Sequence, residues 1–202
     1  MQGFAWGTSA VSVAFAFIAW GQSFAWDFSF LSLYMLFPLF GLVAFSLMWS
    51  HYVTAALRQY YKLGKEVTKS YFEATSALVL AAILLHPGLL GYQLWRDGMG
   101  LPPASELNYL PNSKDFYILI AMLSLFIFLG YELRRWFEER SWWKYLQYAS
   151  DIAIILIYIH GVNVGTRLQQ GWFRAVWAFY GLTLAASLTY IYLNKRQDTP
   201  TS

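Results

Sequence analysis

Six apolar stretches follow one another along this chain, each near the ~20 residues that a helix needs to cross a bilayer. Charged residues make up only 12% of the 202 positions, against about 25% in a soluble domain, and they gather between the stretches. The expectation is an all-α integral membrane protein: a single domain over 1–202 forming a six-helix transmembrane bundle. The spans read as Phe4–Trp20, Phe28–Tyr52, Tyr71–Leu94, Phe116–Trp136, Trp142–Gly165 and Trp172–Asn194. Trp20, Trp26, Trp95, Trp136, Trp142, Trp143 and Trp172 crowd their ends, as interfacial belts do. No Lys or Arg precedes the first apolar run, so it reads as a retained helix rather than a cleaved signal.

The charges orient the bundle. Of the 14 Lys and Arg, ten fall on one side: Arg58, Lys62, Lys65 and Lys69 after the second span, Arg134, Arg135, Arg140 and Lys144 after the fourth, Lys195 and Arg196 in the tail. Arg96, Lys114, Arg167 and Arg174 fall on the other. The positive-inside rule then puts both termini in the cytoplasm and runs the third and fifth helices outward; a bacterial inner membrane is the expected location, with lipid as the first partner. The Arg96–Asp115 connection, with Pro102, Pro103 and Pro111, is the one sizeable loop and is expected to cap the outer face. A nucleotide-binding glycine motif is absent, and no nucleic-acid partner is expected. With no cysteine, thiolate-ligated haem, iron–sulfur clusters and covalent haem attachment are excluded.

The chain has three histidines. Two lie deep in apolar spans beside glycine, in Leu85-His86-Pro87-Gly88 and Ile159-His160-Gly161. His86 falls roughly 22 Å along its helix from Tyr71, and His160 roughly 27 Å from Trp142, both past the middle of a ~30 Å core. Ionisable groups at such depth are functional candidates. Two imidazoles at one level match the axial ligands of a six-coordinate haem iron, with Gly88, Gly91, Gly161 and Gly165 making room for a planar ring and Pro87 tending to kink the helix. The competing reading is helix packing, which glycine and histidine also serve in membranes. Arg167, two turns beyond His160, stands where a haem propionate would emerge and is assigned to it; an interfacial charge is the alternative.

The run Arg140-Ser141-Trp142-Trp143-Lys144-Tyr145-Leu146-Gln147-Tyr148, continuing to Tyr158-Ile159-His160-Gly161, resembles the fifth helix of the ferric reductase-like transmembrane domain. That family contains ferric reductases, the NADPH oxidase membrane domain and the haem-binding membrane subunit of the bacterial methionine sulfoxide reductase system. There the third and fifth helices can each carry two histidines that hold two stacked haems. Here Gln147 stands where the family has the inner histidine of the fifth helix, and Phe72 and Glu73 stand near its counterpart on the third. The resemblance implies one b-type haem near the outer face.

Toward the cytoplasmic side the sequence offers a second polar group: Gln147 and Asp151, i,i+4 on one helix face, Glu73 early in the third span and His51 late in the second. The cluster is read as a site for a quinone or flavin headgroup. A structural salt bridge through Asp151 competes with that reading, and a solvated His51 or a second haem competes for His51. Together these features suggest the haem-binding membrane subunit of an oxidoreductase. Its donor would be a flavoprotein or quinol, and its acceptor would lie outside. A haem-free assembly subunit or a small transporter is the alternative.

Overall fold

The computed structural model describes residues 1–132, 139–165 and 171–197. In chain order the helices are α1 (Gln2–Gln22), α2 (Leu33–Tyr60), α3 (Lys69–Arg96), α4 (Ala104–Tyr109), α5 (Asp115–Glu132), α6 (Trp143–Val164) and α7 (Gly171–Gln197), with short 3-10 turns at Lys65–Thr68 and Asn112–Lys114. There are no strands among the described residues. Six helical segments are long and apolar enough to cross a membrane: α1, α2, α3 with the turn before it, α5 with the turn before it, α6 and α7. Helices satisfy their own backbone groups, which hydrocarbon cannot do for them.

The six expected spans are all present, with shifted ends. α2 begins at Leu33 rather than Phe28. Ala25 and Trp26 adopt left-handed backbone (φ 52° and 60°), the indole of Trp26 lies over Gly21 where no side chain would fit, and the Phe28 ring stacks on Trp20 at 5.2 Å. The chain therefore reverses before the second helix can start. α3 runs through Pro87 to Arg96 without interruption. The Arg96–Asp115 connection contains α4, whose Glu106, together with Pro102, packs against Gly91. Trp136 lies outside the described residues.

The packing follows the rule for membrane helices, small residues inward and large ones outward. α1 buries Ala5, Ser9, Ser12, Ala16 and Ala19 on one face, while Phe4, Trp6, Val11, Phe15, Phe17 and Ile18 point away from the protein. That small-residue face lets α1 close on α2. α2 is the central helix, in contact with α1, α3 and α7. At its middle Ser9, Ser50 and Tyr71 form a buried triangle of hydroxyls, 2.6–2.7 Å on each side, which ties α1, α2 and α3 together. On the α7 side, Phe45 and Trp49 of α2 interleave with Trp177 and Tyr180, at ring separations of 4.3 Å.

α5 and α6 pack on each other as a separate pair. α3 packs on α2 rather than on this pair, so a cleft separates α3 from α5 and α6, floored by α2. One end of the bundle carries Arg58, Lys65 and Lys69. The opposite end carries Asp97, Lys114 and the two deep histidines. There the Tyr34 hydroxyl donates to Asp97 at 2.7 Å, the Gln93 amide donates to it at 2.9 Å, and Lys114 Nζ donates to the Asn163 carbonyl at 2.7 Å.

Two outcomes follow. Tyr71→Phe leaves the Ser9 and Ser50 hydroxyls without a third partner and lowers stability by about 1 kcal/mol, read as a lower midpoint of thermal unfolding in detergent. The Tyr34 hydroxyl and then the Gln93 amide hold Asp97 below the ordinary carboxyl value of 3.8. This tie between α2 and α3 is complete above that value and lost as pH falls through the lowered one. A carboxyl NMR titration of Tyr34→Phe should show the Asp97 midpoint rising.

Candidate functional site

His86 and His160 lie equally far along their helices. Each is 17 residues into its helix, counted from Lys69 and from Trp143, about 25 Å of rise. They project from α3 and α6, the two helices on either side of the cleft, and each lies within electrostatic reach of the other. Neither ring is fully buried.

The same local device holds both. His86 Nδ1 lies 2.7 Å from the Phe37 carbonyl of α2, and His160 Nδ1 lies 2.8 Å from the Tyr117 carbonyl of α5. A carbonyl only accepts, so Nδ1 is the protonated nitrogen in each ring. Nε2 of the neutral imidazole then keeps its lone pair. This is the arrangement of metal-ligating histidines, whose second nitrogen is anchored by a backbone oxygen or a carboxylate. Each histidine is therefore set by the neighbour in its own packed pair, α3 by α2 and α6 by α5.

Gly41 makes the first of these bonds possible. A Cβ there would sit 2.8 Å from His86 Cε1 and Nδ1, a separation that side-chain carbons do not tolerate. Gly41 follows Phe37 by one helical turn, so the ring slides over bare backbone to reach the carbonyl. Sequence reasoning missed this residue along with the two carbonyls, because a glycine in an apolar run carries no sign of its partner on another helix. Of the glycines expected to make room for a planar ring, Gly88 faces open space, whereas Gly91 packs against Glu106 and Pro102 of the α4 connection. Gly91 thus serves packing. Arg167 lies outside the described residues. The nearby cation that is described is Lys114, at the start of α5, 5.8 Å from the centre of the Tyr117 ring.

Toward the basic end the cleft widens into a cavity of about 750 Å³. His51, Glu73, Gln147 and Asp151 all line it, although they come from α2, α3 and α6. Two phenols hold Asp151. Tyr52 of α2 donates to Oδ1 at 2.8 Å and Tyr192 of α7 donates to Oδ2 at 2.5 Å. No cation forms an ion pair with Asp151 among the described residues. His51 Nε2 bonds the Thr75 hydroxyl at 2.6 Å, and Thr75 in turn donates to the Tyr71 carbonyl. His51 is thereby tied into the α2–α3 seam. His86 and His160 do not line this cavity, but Ile83, at its near end, is one turn before His86 on α3.

Among the described residues no group of three or more His, Asp or Glu is placed to hold a metal ion. Any metal chemistry here draws on the two imidazoles and on donors that arrive with the metal.

Nitrogen NMR of the two deep imidazoles should report the neutral, Nδ1-protonated form in both. Gly41→Val should abolish it at His86 and leave His160 unchanged; an unaltered His86 signal would show that the ring does not depend on the bare backbone of α2. In comparisons with known proteins the chain matches no protein-family model, no curated protein and no solved structure, so its chemistry rests on these residues.

Proposed function

We propose that this chain is a membrane b-type haem protein that passes electrons across the bilayer, with His86 and His160 as the two axial ligands of one haem. The observation that carries the reading is the pair of matched Nδ1–carbonyl bonds, each 17 residues into one of the two helices that flank the cleft. Each fixes a ring with Nε2 available as donor, the condition an iron ligand must meet. A porphyrin brings four nitrogens of its own, so two protein donors complete six-coordination and no third ligand is needed. Bound in this way, the haem supplies one-electron chemistry at iron and leaves no open position for substrate.

The chain's own residues do the rest. The carbonyls of Phe37 and Tyr117 orient the two rings, and Gly41 lets one of them approach. The apolar helices exclude water from the site and favour neutral imidazole. Arg167 is assigned to a propionate at that end.

The excess of Lys and Arg around Arg58, Lys65 and Lys69 puts the basic end, and both termini, in the cytoplasm. The histidines then lie toward the outer face, the acceptor lies outside, and the electrons come from a cytoplasmic flavoprotein or a membrane quinol. A bacterial inner membrane fits this arrangement. So does the likeness of the Arg140–Gly161 run to the ferric reductase-like transmembrane domain, in a form that keeps the outer histidine pair alone.

Purified protein should be coloured, with a Soret band, sharp α and β bands on reduction, and one haem per chain. His86→Ala and His160→Ala should each remove at least nine-tenths of the bound haem. Colourless protein, or colour that survives in the double variant, overturns the assignment; two haems per chain would bring in another ligand such as His51.

A further inference from the structure

The cavity at the basic end is not needed to hold a haem between His86 and His160, and its lining has a marked chemical polarity. Its volume of about 750 Å³ lies within the range of small-molecule sites. Met48, Val79, Leu80, Ile83, Phe128 and Ile191 give it an apolar floor. Hydrogen-bonding groups line its wall: the Tyr52 hydroxyl with Asp151 behind it, and Gln147 and Ser150 of α6. The mouth carries charges of both signs, Arg58, Lys65 and Lys69 against Glu66 and Glu73, with Lys69 4.0 Å from Glu66.

An occupant must therefore be apolar over most of its surface, carry a head that donates and accepts hydrogen bonds, and need no concentrated positive charge. A free phosphate or a phosphorylated flavin would call for cations among the groups that hold its head; the polar wall here carries the Asp151 carboxylate and, among the described residues, no cation, and two carboxylates stand among the three cations at the mouth. A lipid-soluble hydroquinone meets all three conditions. We infer that the cavity is a quinol-binding site that delivers electrons to the histidine end, an inference that rests on the haem reading above for the acceptor but not for the binding.

The proton path is the tyrosine–aspartate pair. As the quinol is oxidised to the quinone, both of its O–H bonds break and both ring C–O bonds become C=O. One proton passes to the Tyr52 oxygen while the proton of Tyr52 moves to Asp151 Oδ1, along the 2.8 Å hydrogen bond already in place. The other goes to the Glu73 carboxylate at the mouth and so to solvent. The two electrons would leave one at a time toward a haem held by His86 and His160, the first passing on to the external acceptor before the second follows. The route is short, because Ile83 at the cavity's end is three residues from His86, about 4.5 Å of helix rise.

The test uses the full chain in lipid nanodiscs with decylubiquinone and its quinol. Calorimetric titration should show one saturable quinone site per chain. Leu80→Trp, which fills the cavity with an indole, should weaken binding at least tenfold. The His86→Ala/His160→Ala double variant should bind quinone as the parent does. In stopped-flow, Asp151→Asn should slow quinol-driven haem reduction at least tenfold while dithionite still reduces the haem. Tyr52→Phe gives the same readout should Asp151→Asn not fold, because Tyr192 still holds Asp151. Absence of saturable binding, binding indifferent to Leu80→Trp, or parental rates in both relay variants overturns the inference. Colourless protein that binds quinone would overturn the haem reading and leave this site standing; coloured protein that binds none would do the reverse.

Discussion

Hydrocarbon does not forgive an unpaired polar group, and that penalty organises the whole bundle. Several buried polar side chains join one helix to another. Ser9, Ser50 and Tyr71 lock three helices through hydroxyls. Asp151 gathers α2 and α7 onto α6 through two phenols. Trp49 Nε1 reaches the Thr183 hydroxyl on α7 at 2.8 Å. His86 and His160 obey the same rule with one of their two nitrogens each. On the proposed function, the second nitrogen of each is the one a haem iron would take.

The architecture sets where such a site would lie. α2 collects α1, α3 and α7 around it, and α5 pairs with α6. Two packed groups leave a cleft between α3 and α6, and each of those helices carries one of the two histidines. A single tight bundle would have brought those helices into contact and closed the space. Small residues draw α1 onto α2, while the cleft is left to α3 and the α5–α6 pair. The polarity of the cleft also changes along its length: apolar at Ile83, one turn from His86, then a carboxylate held by two phenols, then mixed charges at the mouth.

How much of this was legible in the sequence differs by residue. The six spans were, because a run of apolar residues of bilayer length has one stable outcome in lipid. That His86 and His160 fall late in their helices was also legible, since helix rise is uniform. The convergence of His51, Glu73, Gln147 and Asp151 on one wall was suggested by their depth alone, and the cavity they share depends on how α3 stands off from α6. The partners were not legible. Tyr52 and Tyr192 looked like ordinary interfacial aromatics, Gly41 like any glycine in a span, and the carbonyls of Phe37 and Tyr117 have no sequence signature. The start of α2 was misplaced by five residues because the reversal at Ala25 and Trp26 uses non-glycine residues in left-handed backbone.

What the sequence by itself determined is the class of molecule and the height of its reactive groups: apolar length dictates spanning helices, and a fixed rise per residue converts position into depth. Only the tertiary structure decided which groups meet. The turn of each helix about its axis selects Phe37 for His86, Tyr117 for His160 and two phenols for Asp151, and that rotation is set by the summed packing of neighbouring helices rather than by any local run of residues.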